Sequence, residues 1–349
     1  LQWIGGIGIV VTAIAILPAL QVGGMQLFRA EAAEQNEKVL PRAAQIASGI
    51  GGIYVGGTTL IAAAYWIAGM NIFDAVTHAM TTVATGGYAN YDASFGVFEG
   101  PVLPLIATVG MILGSLPFIM YLKMMKVRVS VILHDSQVRG FFMIAGAFIV
   151  FVLLARSVEP GASIIQTFSN TIFNVVSIMT GTGYAIGNFE TWGAFATPTF
   201  LALMFVGGCA GSTTCSIKIF RFQVLFASAQ SQLRKLARPH RVAPARYAGK
   251  PLNPETINSV MAFFFLYIIS FLVLAVALSL TGLDGITALS GAATAISNVG
   301  PGLGPIIGPA GNFASLSDAA KWILAIGMLA GRLELFTVLI LFSARFWRS

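Results

Sequence analysis

The chain has 349 residues, of which 56% are hydrophobic and only 9% charged, against about 25% charged in an ordinary soluble domain. That composition excludes a soluble globular protein and describes an integral membrane protein; long uninterrupted apolar runs also exclude an outer-membrane barrel, whose strands are about 10 residues of alternating polarity. The net charge of +7 would suit nucleic acid, but the basic residues flank apolar runs without an aromatic stacking platform, so they read as topology signals and contacts to anionic lipid.

Apolar runs close to the roughly 20 residues that cross a bilayer as a helix fall at 1–28, 43–68, 102–122, 140–156, 194–228, 256–281 and 319–345. The first begins at Leu1 with no charged region or cleavage site before it, so it reads as a membrane helix rather than a signal peptide. The absence of an initiating Met predicts that the chain is not the whole gene product. After the second run, Phe73 to Thr82 is too short to span. It is predicted to dip into the membrane from one side and stop at Thr85-Gly86-Gly87-Tyr88. The same order of long helix, short helix and turn recurs at Gly181-Thr182-Gly183-Tyr184 and at Ser297-Asn298-Val299-Gly300-Pro301. Each short helix would aim the negative end of its dipole at the bilayer centre. Glycine then lets backbone carbonyls turn toward an axis, where a ring of them replaces the hydration shell of a cation. Gly181 to Gly187 superficially matches a dinucleotide loop, but no strand precedes it.

Charge orients the cassettes. The turn-side connections carry Asp74, Asp92, Glu99, Glu159, Glu190, Asp284 and Asp318 against Arg156 and Lys321, and are expected outside. The opposite connections carry Arg29, Lys38, Arg42, Lys123, Lys126, Arg128, Arg139, Arg221 and the tail residues Arg345 and Arg348. The proline-containing basic segment at 230–254 lies on that side too and reads as a cytoplasmic connector and docking surface. Cys209 and Cys215 are expected as free thiols, and with His78, His134 and His240 they make no zinc or haem spacing.

Two further features stand inside apolar runs. Phe205 to Lys218 breaks a helix with Gly207, Gly208, Gly211, Ser212 and Thr213. Unwound backbone at that depth belongs beside a cavity or buried in protein; the alternative is a small-residue helix contact through Gly207 and Gly211. Arg332 is expected roughly 16 Å down the last helix from Lys321, where a charge is costly and functional by default. Glu334, two residues on, points to another face and is expected to meet a cation such as Lys218.

Phe73 to Ala79, Ala84 to Tyr88, Gly207 to Thr213, Ser297 to Gly302 and Leu329 to Glu334 resemble the corresponding motifs of the Trk/Ktr/HKT superfamily of potassium transport proteins, and within it the bacterial TrkH and TrkG subunits. The resemblance covers nearly the whole chain. It implies an all-α membrane fold of repeated helix–pore-helix–filter–helix cassettes around one pseudo-fourfold pore, without covalent chemistry or organic cofactor. The filter would comprise Thr85, Gly86, Gly87, Gly181, Thr182, Gly183, Asn298, Val299 and Gly300, carrying potassium. The gate would be an intramembrane loop at 207–217 with Gly207, Gly208, Gly211, Ser212, Thr213 and Lys218, together with Arg332 facing the pore as an electrostatic barrier. The repeats would divide as 1–42 (last helix of repeat 1 and a loop), 43–137, 138–254 and 255–349, with filters at 84–88, 180–184 and 297–302. The filter of the first repeat is expected to precede Leu1. The resemblance further implies a homodimer in the bacterial inner membrane, served by a cytosolic nucleotide-binding TrkA-like regulator. The alternatives are a sodium-conducting or sodium-coupled relative and, from a different class, a membrane-embedded enzyme or scaffold using Asp74 and His78. At i and i+4 of a short helix, those two residues suit capping and mouth electrostatics instead.

Overall fold

The computed structural model describes residues 1–15, 39–126, 134–156, 163–238 and 243–333. In chain order it has α1 (Gln2–Ala15), α2 (Val39–Ile67), α3 (Ile72–Val83), α4 (Val102–Ser115), α5 (Phe118–Lys126), α6 (Ser136–Ala155), α7 (Ile164–Met179), α8 (Ala196–Met204) and α9 (Ile219–Ala237). A two-residue hairpin, β1 (Arg246–Tyr247) with β2 (Lys250–Pro251), leads to α10 (Pro254–Ser279), α11 (Gly285–Ser297) and α12 (Asp318–Arg332). Segment 230–254 is therefore helical to Ala237 and closes with a hairpin, where the sequence suggested a plain connector.

Ala47–Ile67 within α2, all of α6 and all of α10 are long and apolar enough to cross a bilayer. Only 28%, 28% and 22% of an apolar 18-residue stretch in each is buried, as expected of helices whose remaining surface faces lipid. Each is followed by a helix of 12, 16 or 13 residues (α3, α7 and α11). At about 1.5 Å per residue these reach roughly 18 to 24 Å, short of the bilayer core.

Local chemistry sets the ends of these short helices. Asn71, Ser163 and Asp284 are their N-caps, accepting from the backbone N–H of Asp74, Gln166 and Thr287. Packing then repeats around the bundle: α1 lies on α3 as α4 lies on α7 and α8 on α11. The helix leaving one cassette supports the short helix of the next. Every short helix thus has protein on the flanks where its hydroxyls and amides are buried.

The run at 102–122 does not form one span. It breaks between Ser115 and Phe118, and the two helices meet at 90°. Leu116 precedes Pro117 and is extended (φ −84°, ψ 156°), the conformation a following proline favours; the Phe118 N–H leaves the helical ladder for the Gly211 carbonyl at 3.0 Å. The run at 194–228 is broken as the glycines suggested, with irregular backbone from Phe205 to Lys218 joining α8 to α9. That geometry excludes the helix–helix reading of Gly207 and Gly211. Glu334, Arg345, Arg348 and most of 16–42 lie outside the described residues.

Candidate functional site

Each of the three short helices ends in the same way. The N–H groups of Thr85, Gly181 and Asn298 bond to the carbonyls of Thr82, Ile178 and Ala295 at 3.0, 3.1 and 3.2 Å. The next N–H groups, of Gly86, Thr182 and Val299, reach back to Thr81, Ser177 and Thr294 at 2.9, 2.9 and 3.1 Å. This is the Schellman closure, which requires a left-handed residue just past the helix. That residue is Thr85 (φ 49°), Gly181 (φ 67°) or Asn298 (φ 54°). Two residues on, φ is positive again at Gly87 (65°), Gly183 (82°) and Gly300 (115°). Glycine and Asn adopt this conformation at little cost, whereas a β-branched Thr85 is strained there by about 1–2 kcal/mol.

These three turns lie side by side in sequence order. A Cβ on Gly87 would stand 1.9 Å from the Thr182 carbonyl oxygen, and one on Gly183 2.0 Å from that of Val299. Glycine is therefore required at 87 and 183 for space as well as for φ. Thr85, Gly86, Gly87, Thr182, Gly183, Asn298, Val299, Gly300 and Arg332 all line one cavity of about 1000 Å³. Gly181 is not part of its lining; it is packed beside Asn298 and Cys215.

The irregular segment 205–218 is fastened beneath the turns. Thr213 Oγ1 lies 3.1 Å from the Val83 carbonyl, 2.9 Å from that of Gly114 and 3.0 Å from Thr85 Oγ1. Ser216 Oγ donates toward the carbonyls of Ser297 (3.1 Å) and Met204 (2.9 Å). The loop holds its own shape through Gly207 N–H to the Ile217 carbonyl (2.9 Å) and Ser212 Oγ to the Cys209 carbonyl (2.6 Å). A side chain on Gly207 would strike the Cys215 carbonyl, one on Gly208 the Thr214 side chain, and Gly211 has φ 72°. Lys218 occupies the N-cap position of α9 without a side-chain cap bond, and its ammonium donates to the Thr214 carbonyl.

Arg332, half-buried at the end of α12, donates toward the Thr213 carbonyl at 3.4 Å and touches Cys215 Sγ. Gly331 brings it there: its backbone lies so close to the end of α11 that a Cβ would stand 1.9 Å from the Ile296 carbonyl. Cys209 and Cys215 are free thiols.

Asp74 and His78 are placed differently from a mouth pair. Asn71 is the cap, and Asp74 accepts from Asn71 Nδ2 (2.6 Å), Asn90 Nδ2 (2.7 Å) and the Tyr91 hydroxyl (2.7 Å). Burial alone would raise the Asp74 carboxyl, but these three donors outweigh it and hold the group below its ordinary value. His78 is fully buried among Phe95, Phe98 and Tyr91, its Nδ1 on the Asp74 carbonyl. An aromatic box of this kind supports a helix and offers no substrate access.

Sequence reasoning missed several residues. Tyr184 is completely buried and its hydroxyl reaches α3 of the preceding cassette. Glu190 accepts the Gly304 N–H at 2.9 and 3.1 Å, joining the loop after the second turn to the loop after the third. Arg156, expected as a surface charge, is buried over the Trp192 ring (3.9 Å) and donates to Thr171 Oγ1 at 2.8 Å. Only the turn hydroxyls had a readable signal: Thr81, Ser177 and Thr294 each stand six residues before a filter glycine.

Half-length helices whose C-terminal turns line one cavity, inside a bundle of lipid-facing spans, define an all-α membrane protein of the transport class. The TrkH family, described as cation transport protein, matches residues 1–349, and the chain belongs to that family, which is one of transporters and not of enzymes. It is 48% identical over 350 residues to the Trk system potassium uptake protein TrkI of Halomonas elongata, covering 100% of this chain and 71% of that protein. It is 37% identical over 355 residues to the Trk system potassium uptake protein TrkH of Escherichia coli strain K12, covering 100% of this chain and 72% of that protein. The crystal structure of the potassium transporter TrkH from Vibrio parahaemolyticus superposes with a TM-score of 0.88 at 34% identity, over 99% of this chain and 71% of that one.

Proposed function

We propose that this chain is the potassium-translocating subunit of a Trk-type uptake system in a bacterial inner membrane. One observation carries the reading: the pattern of positive φ at the first and third residues of each turn, repeated at Thr85 and Gly87, Gly181 and Gly183, and Asn298 and Gly300. Alternating backbone handedness points successive carbonyls to one side, which suits coordination of a dehydrated cation. Glycine at all three third positions favours potassium over a sodium-conducting relative. The relatives named as potassium uptake proteins support the same substrate.

In this reading 207–217 is the gate beneath the filter and Arg332 is its electrostatic barrier. The repeats run 43–137, 138–254 and 255–349, with 1–42 ending a repeat before them. The turn side faces outward, and the basic face with 230–254 inward. A homodimer forms the working unit, and a cytosolic TrkA-like subunit that binds nucleotide docks on the basic face. Expression in a bacterium lacking its own potassium uptake tests the core of this: growth at low potassium and rubidium uptake are expected, and neither would appear if the substrate is wrong.

A further inference from the structure

The three short helices carry a hydroxyl at one repeated position, and in each case it holds the filter segment that follows. Thr81 Oγ1 donates to the Tyr88 carbonyl at 2.9 Å. Ser177 Oγ donates to the Tyr184 carbonyl at 2.7 Å. Both acceptors are the residue directly after the filter glycine. In the third cassette Pro301 occupies that place, and Thr294 Oγ1 instead accepts from the Gly300 N–H at 2.8 Å. Ser177 and Thr294 are buried, so these bonds have no competing water.

Thr81 does more than its two counterparts. The Tyr184 hydroxyl, from the second filter segment, lies 2.5 Å from Thr81 Oγ1. Thr81 has one proton, and its nearest carbonyl acceptor is Tyr88. These contacts form a chain from the Tyr184 hydroxyl through Thr81 Oγ1 to the Tyr88 carbonyl, and the Tyr184 hydroxyl also lies 3.2 Å from the His78 carbonyl. This chain ties the residue after Gly183 to the residue after Gly87, across two cassettes. The Tyr184 ring cannot swing away: it is completely buried and packs on Phe95 and Phe173 at 5.0 and 6.3 Å between centroids. Tyr65 completes the network through a 2.9 Å bond to Thr82 Oγ1.

We infer that Thr81 and Tyr184 are specificity-determining positioning residues: they fix the spacing of the first two filter segments and so the discrimination between potassium and smaller cations. The inference rests on the potassium-filter reading above. Where cavity size sets selectivity, the carbonyl cage must not shrink around a smaller ion. A hydrogen-bond strut between neighbouring segments, anchored in an aromatic wall, resists that movement. Ser177 and Thr294 hold single segments and set the shape of one corner each.

The test uses the protein expressed in a bacterium without its own potassium uptake. It measures rubidium influx with and without excess sodium, and membrane abundance by immunoblot. If wild-type protein at normal abundance carries no rubidium, the potassium reading fails before the strut is reached. With wild-type influx established, Thr81→Val should make influx roughly five- to tenfold more sensitive to sodium, as expected from losing about one hydrogen bond. Thr81→Ser should restore resistance, since the hydroxyl and not the methyl group carries the role. Tyr184→Phe removes the hydroxyl on the other side of the strut, together with its contact to the His78 carbonyl, and should show the same sodium sensitivity, and the double variant should be no worse than either single one. Should Thr81→Val fail to reach the membrane, Tyr184→Phe decides. Wild-type sodium resistance in Tyr184→Phe, or in a membrane-inserted Thr81→Val, overturns the inference.

Discussion

Gly183 and Val299 belong to different cassettes, yet a Cβ on Gly183 would stand 2.0 Å from the Val299 carbonyl oxygen. The same relation holds between Gly87 and Thr182, at 1.9 Å. Gly300 differs, because its nearest neighbour would be Gly183 Cα at 3.7 Å, an ordinary contact. Substitution by Ala should therefore be graded. Gly87→Ala and Gly183→Ala carry both steric overlap and φ strain and should abolish rubidium uptake. Gly300→Ala carries strain alone, at φ 115° about 1–3 kcal/mol, and should retain measurable uptake with altered selectivity. Equal loss at all three positions would show that neighbour packing does not set the tolerance.

Arg332 places a positive charge in the cavity that the three turns share. Its removal should lower the barrier to cation passage: Arg332→Ala is expected to raise the initial rate of rubidium influx severalfold at equal abundance, and Arg332→Lys much less. An unchanged rate in Arg332→Ala would remove the barrier role.

Thr213 fastens the irregular segment to the base of the first turn through contacts with Gly114, Val83 and Thr85. Thr213→Val keeps the shape and deletes the hydroxyl; the Gly114 carbonyl keeps the Thr213 N–H at 3.1 Å, whereas the Val83 carbonyl loses its hydroxyl contact, at a cost of about 1–3 kcal/mol. The detergent-solubilised variant should melt several degrees lower. If the segment is the gate, the variant should also conduct with less dependence on the regulator proposed above.

Asp74 gives a pH dependence whose sign is fixed. Its carboxyl is held below the ordinary 3.8 by Asn90, Tyr91 and Asn71 despite burial, so the folded state favours the charged form. That stabilisation is fully present above the unfolded-state value and disappears as pH falls through the lower folded-state value. Thermal stability should be flat from pH 7 to 5 on this account and drop below pH 4. Asp74→Asn should be less stable at pH 7 and lose less on acidification; an equal acid loss in both proteins would assign it to other carboxylates.

Much of this architecture could be read from residue order because its causes are local. The short helices and their Gly-bearing turns were legible, whereas capping was expected at Asp74 and falls on Asn71 instead, with Ser163 and Asp284 at the other two helices; Gly181 and Asn298 are ordinary left-handed residues. Thr85 gave no such signal, since a β-branched residue enters that conformation only when the surroundings hold it, here through Thr213. Pro117 marked the break that a hydropathy reading of 102–122 passed over. The contacts across cassettes were not legible. Tyr184 with Thr81, Glu190 with Gly304 and Gly331 with Ile296 join residues far apart in sequence, and no periodicity encodes such distances. Arg156 looked like a surface charge because sequence alone does not show that Trp192 covers it.

The central claim, that the three turns form a potassium filter, is tested most directly by rubidium influx under excess sodium in wild-type protein and Gly183→Ser at matched membrane abundance. The account predicts sodium-resistant influx in the wild type and its loss in the variant. Wild-type influx and sodium resistance in Gly183→Ser would contradict it.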